Sequence, residues 1–129
     1  MRVATFLLGC LALSLAAANP ADDFLVAHVC GRVVKDVSSL ESAAAGCAEA
    51  IDVTMRGVLK TGVMAIGAET TGVTITAGGA TWELELDERQ SETAASRAGK
   101  PVTIEGSLRY RRGVEVKRRA IVKVRRITP

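Results

Sequence analysis

The stretch that most restricts the fold is Gly99 to Ile127, G-K-P-V-T-I-E-G-S-L-R-Y-R-R-G-V-E-V-K-R-R-A-I-V-K-V-R-R-I. In its first half Val102, Ile104, Gly106, Leu108 and Tyr110 alternate with Thr103, Glu105, Ser107, Arg109 and Arg111. That period of two is a strand with one buried face. Gly113 supplies a reversal, and Val114, Val116, Ala120, Val122 and Val124 continue as a second strand. Arg118 breaks the phase and Ile121 and Ile127 fall on the other parity, which predicts a bulge or an edge in this strand.

Upstream, three more alternating segments precede this hairpin. Ile51, Val53, Met55, Gly57 and Leu59 share one parity against Asp52, Thr54, Arg56 and Lys60, with Gly57 placed where the strand can bend. Val73, Ile75 and Ala77 lead through Gly78-Gly79 to Trp82, Leu84 and Leu86, a hairpin with a glycine turn. Trp82 keeps phase with Leu84 and Leu86 and is therefore assigned to the core. Between these segments, Thr61 to Thr71 reads as a loop, either folded onto the sheet or forming an exposed lip. The polar, alanine-rich Asp87 to Ala98 is a short helix capped at Asp87 or Ser91 and stopped by Gly99 and Pro101.

The first eighteen residues combine Arg2, an apolar run from Val3 to Leu15 and Ala16-Ala17-Ala18, the three parts of a secretory signal cleaved after Ala18. Leu7-Leu8-Gly9-Cys10 resembles a lipobox, but most of the apolar run follows Cys10, so anchoring there is the minor reading. The protein is expected in the periplasm or outside the cell, without a transmembrane span in the mature chain. Cleavage removes Cys10 and leaves Cys30 and Cys47 in an oxidising compartment, as a disulfide or as two buried thiols. The bridge is the favoured pairing. With His28 these cysteines lack the spacing of a metal centre, and neither metal nor cofactor is expected. Phe24 to Val34 is strand-like, and Ser38 with Glu41 fits a capping box opening a helix that runs through Ala45 and ends near Gly46.

Charge is distributed unevenly. Arg97 to Pro129 carries eleven Lys/Arg against two acids, whereas Met1 to Ser96 carries six against twelve. A basic C-terminal third suits an anionic partner, and it also suits a solvated strand face that discourages edge pairing. With one Trp, one Tyr and two Phe, the chain offers little flat surface for stacking bases.

Gly78-Gly79-Ala80-Thr81-Trp82-Glu83-Leu84 and Gly99-Lys100-Pro101-Val102-Thr103-Ile104-Glu105-Gly106-Ser107-Leu108 resemble stretches of small bacterial OB-fold domains. These include the exported bacterial OB-fold (BOF) family and nucleic-acid-binding anticodon-like barrels. The resemblance covers Ile51 to Ile127 and implies a mainly β protein: a five-stranded OB-like barrel of order β-β-β-α-β-β. The chain then divides into a signal over 1–18, an N-terminal extension with a short helix over 19–50, and the barrel over 51–129. In OB-folds ligands meet the face of the second and third strands and the loops between strands one and two and between strands four and five. That position implies a surface of Arg56, Lys60, Thr74, Thr76, Arg109, Arg111, Arg112 and Lys117.

The expected function is a non-catalytic exported binding module for a small molecule, an anionic polymer or a protein partner. The alternative is a single-stranded nucleic-acid-binding protein, disfavoured by export. Catalysis is not expected, because the chain lacks G-x-S-x-G and H-E-x-x-H, and Glu83 and Glu85 have no neighbouring nucleophile or base.

Overall fold

The computed structural model describes residues 23–64, 70–113 and 118–129. The signal segment, Cys10, part of the Thr61 to Thr71 loop, Val114, Val116 and Lys117 lie outside them. Among the described residues seven strands and two helices follow in order: β1 (Phe24–Val29), β2 (Arg32–Val34), α1 (Val37–Ala45), β3 (Ile51–Lys60), β4 (Thr74–Ala77), β5 (Ala80–Glu85), α2 (Glu88–Ser96), β6 (Pro101–Arg111) and β7 (Arg119–Thr128). Strands β3, β4, β5, β7 and β6 are neighbours in that order, and β3 pairs again with β6 to close the wall. All pairings are antiparallel except β5 with β7. The result is a closed five-stranded mixed barrel with α2 between its third and fourth strands and an added β1–β2 hairpin.

Closure follows from the alternation. Val53, Met55, Leu59, Ile75, Trp82, Leu84, Val102, Ile104 and Val122 are all at most 2% exposed and fill the interior. Each comes from the apolar parity of its strand, so one face per strand points inward around the ring. Trp82 takes the core position expected of it, and its indole Nε1 donates to the Ala77 carbonyl at 2.9 Å, so no polar group is left unpaired there. Leu40 of α1 and Ala94 of α2 complete the core from outside the strands.

β3 is the hub. One edge faces β6 from Ile51 to Val58; the other is shared end to end by β1, opposite Asp52 to Arg56, and β4, opposite Val58 to Lys60. Gly57 stands at the changeover, where a Cβ would collide with the Thr76 carbonyl oxygen. At the same junction Gly78 N–H donates to the Asp23 carboxylate at 2.7 Å, tying the β4–β5 turn to the start of β1.

The strand-like segment Phe24 to Val34 is two strands, because Cys30 (φ 45°) and Gly31 (φ 80°) form a two-residue turn of the kind that matches strand twist. The Cys30–Cys47 disulfide is formed, with Cα atoms 5.9 Å apart, and ties that turn to the chain leaving α1. Two expectations are corrected. Asp36, not Ser38, caps α1: the helix begins at Val37, and the Asp36 carboxylate accepts from Ser39 N–H and Ser38 Oγ, both at 3.0 Å. The β7 irregularity lies at Arg125 rather than Arg118. Glu105 faces Arg126 while Gly106 faces Val124, so the extra residue restores Ile127 to the inner face opposite Ile104. Ile121 stays off-parity because it lies on the outer face between Glu83 and Arg109, and is still only 2% exposed. Asp87 caps α2 as expected, in a reciprocal box with Gln90.

Candidate basic arm and its groove

β6 outruns β3. Its pairing with β3 stops at Leu108 opposite Ile51, whereas its pairing with β7 continues through Arg111 opposite Arg119. Arg109, Tyr110 and Arg111 therefore stand in a two-stranded arm projecting past the end of β3. The outer face of the arm carries Arg109, Arg111 and Arg119, Arg112 follows directly, and Arg118 lies just before β7.

Two of these arginines are neutralised by acids on β5. Arg119 forms a bidentate pair with Glu83 at 2.7 and 2.9 Å, and Thr71 N–H donates to the same carboxylate at 3.2 Å. Arg109 reaches across β7 to Glu85 at 2.8 Å. The Arg119 hydrogen bonds hold the Glu83 carboxyl below its ordinary value, with partial burial opposing them. Hydrogen bonding from Arg109 lowers Glu85 in the same way. Arg118 instead lays its guanidinium 4.2 Å from the ring centre of Tyr110, a cation–π contact that fixes the charge without cancelling it. Arg111 and Arg112 are exposed and make no ion pair with another described residue.

Beside the arm lies a groove of about 390 Å³, bounded by Cys47, Glu49 and Ile51 on one side and by Ser107, Tyr110 and Arg118 on the other. The Tyr110 Oη is buried and has no hydrogen-bond partner among the described residues. Burial raises its pKa above the usual 10.0, with the Glu41 charge adding to the effect and Arg118 opposing it. Cys30, Cys47 and Glu49 converge nearby, but both sulfurs are spent in the disulfide, and a disulfide sulfur is not the thiolate that binds a metal.

The residues expected from sequence fall into separate groups. Arg109, Arg111 and Arg112 come together on the arm, and Lys117 lies outside the described residues. Lys60, Thr74 and Thr76 share the β3–β4 face, where Thr74 is only 8% exposed while Lys60 and Thr76 are exposed. Arg56 turns to the β3–β6 seam and donates to Thr103 Oγ1 at 2.9 Å. The register explains the separation. From Arg109 it runs through Ile121, Glu83 and Thr74 to Lys60, whereas across the closing seam Arg109 lies one step beyond the Leu108–Ile51 pair, level with Ala50. A stagger of ten residues around five strands tilts the wall strongly. Lys60 and the arm thus sit toward opposite ends of β3.

Sequence reasoning missed Arg118 and Arg119 as parts of one surface with Tyr110. The off-phase Arg118 was the available signal, since a charge interrupting an apolar alternation at a strand end marks a residue held by something other than the sheet. His28, at an exposed position on β1 facing Asp52 and Val33, takes no part. Among the described residues no helix is long and apolar enough to cross a membrane. A scan against protein-family models, a search of curated proteins and a search of solved structures each find no match to this chain.

Proposed function

We propose that the chain is an exported, non-catalytic OB-fold binding module, similar in kind to the BOF domains, that takes an anionic partner on the β6–β7 arm. The observation that carries this reading is that Arg111, Arg112 and Arg118 make no ion pair with another described residue, beside two arginines already fixed by Glu83 and Glu85. A strand pair is a stiff platform, so Arg111 at the end of β6 is presented with less ordering cost than on a free loop. The Cys30–Cys47 disulfide suits an oxidising compartment, in agreement with the signal-like first eighteen residues. Arginine presents a planar fork that fits carboxylate, sulfate and phosphate oxygens, which is the chemistry common to such partners.

The test is fluorescence polarisation of the mature chain with labelled heparin and labelled oligothymidylate at low and physiological salt. Binding of heparin that weakens as salt rises is expected. Preferential, salt-sensitive binding of the oligonucleotide would transfer the function to single-stranded nucleic acid. Absence of binding to either at low salt would remove the anionic reading.

A further inference from the structure

The edge of β6 that looks away from β7 is covered by β3 only as far as Leu108. Over Arg109, Tyr110 and Arg111 no described backbone group pairs with that edge. It opens on the groove whose other wall is the chain from Cys47 to Ile51. Peptide groups turned toward this edge, together with the side chains flanking it, form a short template for another strand.

We infer that the open edge of β6 beside this groove accepts an extended acidic peptide, which continues the line of β3 and pairs with Arg109–Arg111. The inference rests on the anionic reading of the arm and narrows its partner to a polypeptide. Strand geometry fixes the pattern such a peptide needs. Residues directly opposite Arg109 and Arg111 share the outer face with those guanidinium groups and are acidic, the one opposite Arg111 meeting an arginine with no described ion pair and the one opposite Arg109 sharing that exposed guanidinium with Glu85; the residue between them faces inward beside Tyr110 and is small or apolar. The protein uses this pattern itself. Glu83-Leu84-Glu85 of β5 places acid, apolar residue and acid so that Glu83 meets Arg119, Leu84 enters the core and Glu85 meets Arg109. Among the described residues Arg111, Arg112 and Arg118 have no ion pair and remain for a peptide from outside, and Glu49 is the only described acid bounding the groove. A space of about 390 Å³ falls within the range of ligand clefts, roughly 300–1,000 Å³, at the small end expected for a few residues.

The experiment titrates the mature protein with a labelled peptide of alternating Glu and Val. Three comparators run beside it: a scrambled peptide with its acids adjacent, the alternating peptide with its backbone nitrogens methylated on alternate residues in each of the two registers, and a heparin oligosaccharide. Backbone amide exchange is followed at Arg109, Tyr110 and Arg111. The alternating peptide is expected to bind at least tenfold more tightly than the scrambled one. Methylation in one register is expected to abolish that advantage, and exchange is expected to slow within this three-residue run. Equal binding of all the peptides, or binding with no change in exchange there, would overturn the inference while leaving an anion-binding arm. Heparin binding without peptide binding would do the same. Failure of every ligand would remove the arm's function as well.

Discussion

Single residues carry constraints that follow from where the strands approach each other. Gly57 and Gly106 lack room for a Cβ because the carbonyl oxygens of Thr76 and Lys123 occupy that space. Gly57→Ala is therefore expected to cost at least about 2 kcal/mol in urea unfolding, since backbone must move to admit the methyl group. Gly46→Ala, where nothing lies within 4 Å, is expected to stay within about 0.5 kcal/mol of the parent. Glu83 gives a pH signature. Its folded pKa lies below the ordinary 4.5, so its contribution is fully present above that value and is lost as pH falls through the lowered one. Unfolding midpoints measured from neutral to acid pH are expected to fall less steeply in Glu83→Gln than in the parent. A parallel decline in both proteins would show that the Arg119 pair contributes nothing to acid stability. Tyr110 is the sole tyrosine, so phenolate absorbance reads it without overlap. It is expected to titrate above 10.0 in the folded chain and near 10.0 in denaturant, with stability declining as pH rises through that interval.

At the scale of elements, alternation made the barrel strands readable, and the same logic accounts for what was hidden. The inward parity of β3, β5 and β6 is visible because each strand has one apolar face. Register is not visible, since nothing in Glu83 or Glu85 alone announces that parallel pairing of β5 with β7 will set them beside Arg119 and Arg109. The bulge at Arg125 was detectable only as the parity change of Ile127, and Ile121 imitated the same signal for a different reason. The β1–β2 hairpin shows how a local turn and a covalent link cooperate. Cys30 holds a left-handed backbone conformation while its sulfur joins Cys47, seventeen residues on. Replacing both cysteines with serine is expected to lower stability by about 3 kcal/mol in urea unfolding, the chain-entropy value for a loop of this length. A loss under about 1 kcal/mol would show that pairing of β1 with β3 holds the hairpin in place without the bond.

For the whole molecule, the division of the chain into an acidic first part and a basic last part takes on a spatial meaning. Closing the barrel brings part of the acidic half against part of the basic half: Glu83 and Glu85 meet Arg119 and Arg109, and Asp52 meets Arg125 at 3.0 Å. Arginines with no ion pair among the described residues then gather on the arm at Arg111, Arg112 and Arg118, an outcome that composition alone did not reveal because it depends on which acids each strand meets. The most direct test of this account compares two charge-matched double variants for heparin affinity at low salt. Arg111→Glu with Arg112→Glu alters the arm; Lys35→Glu with Arg89→Glu makes the same change in net charge at exposed sites elsewhere. The arm variant is expected to lose at least tenfold in affinity and the other less than threefold. Equal losses in the two variants would contradict the account, because binding would then follow net charge instead of the arm.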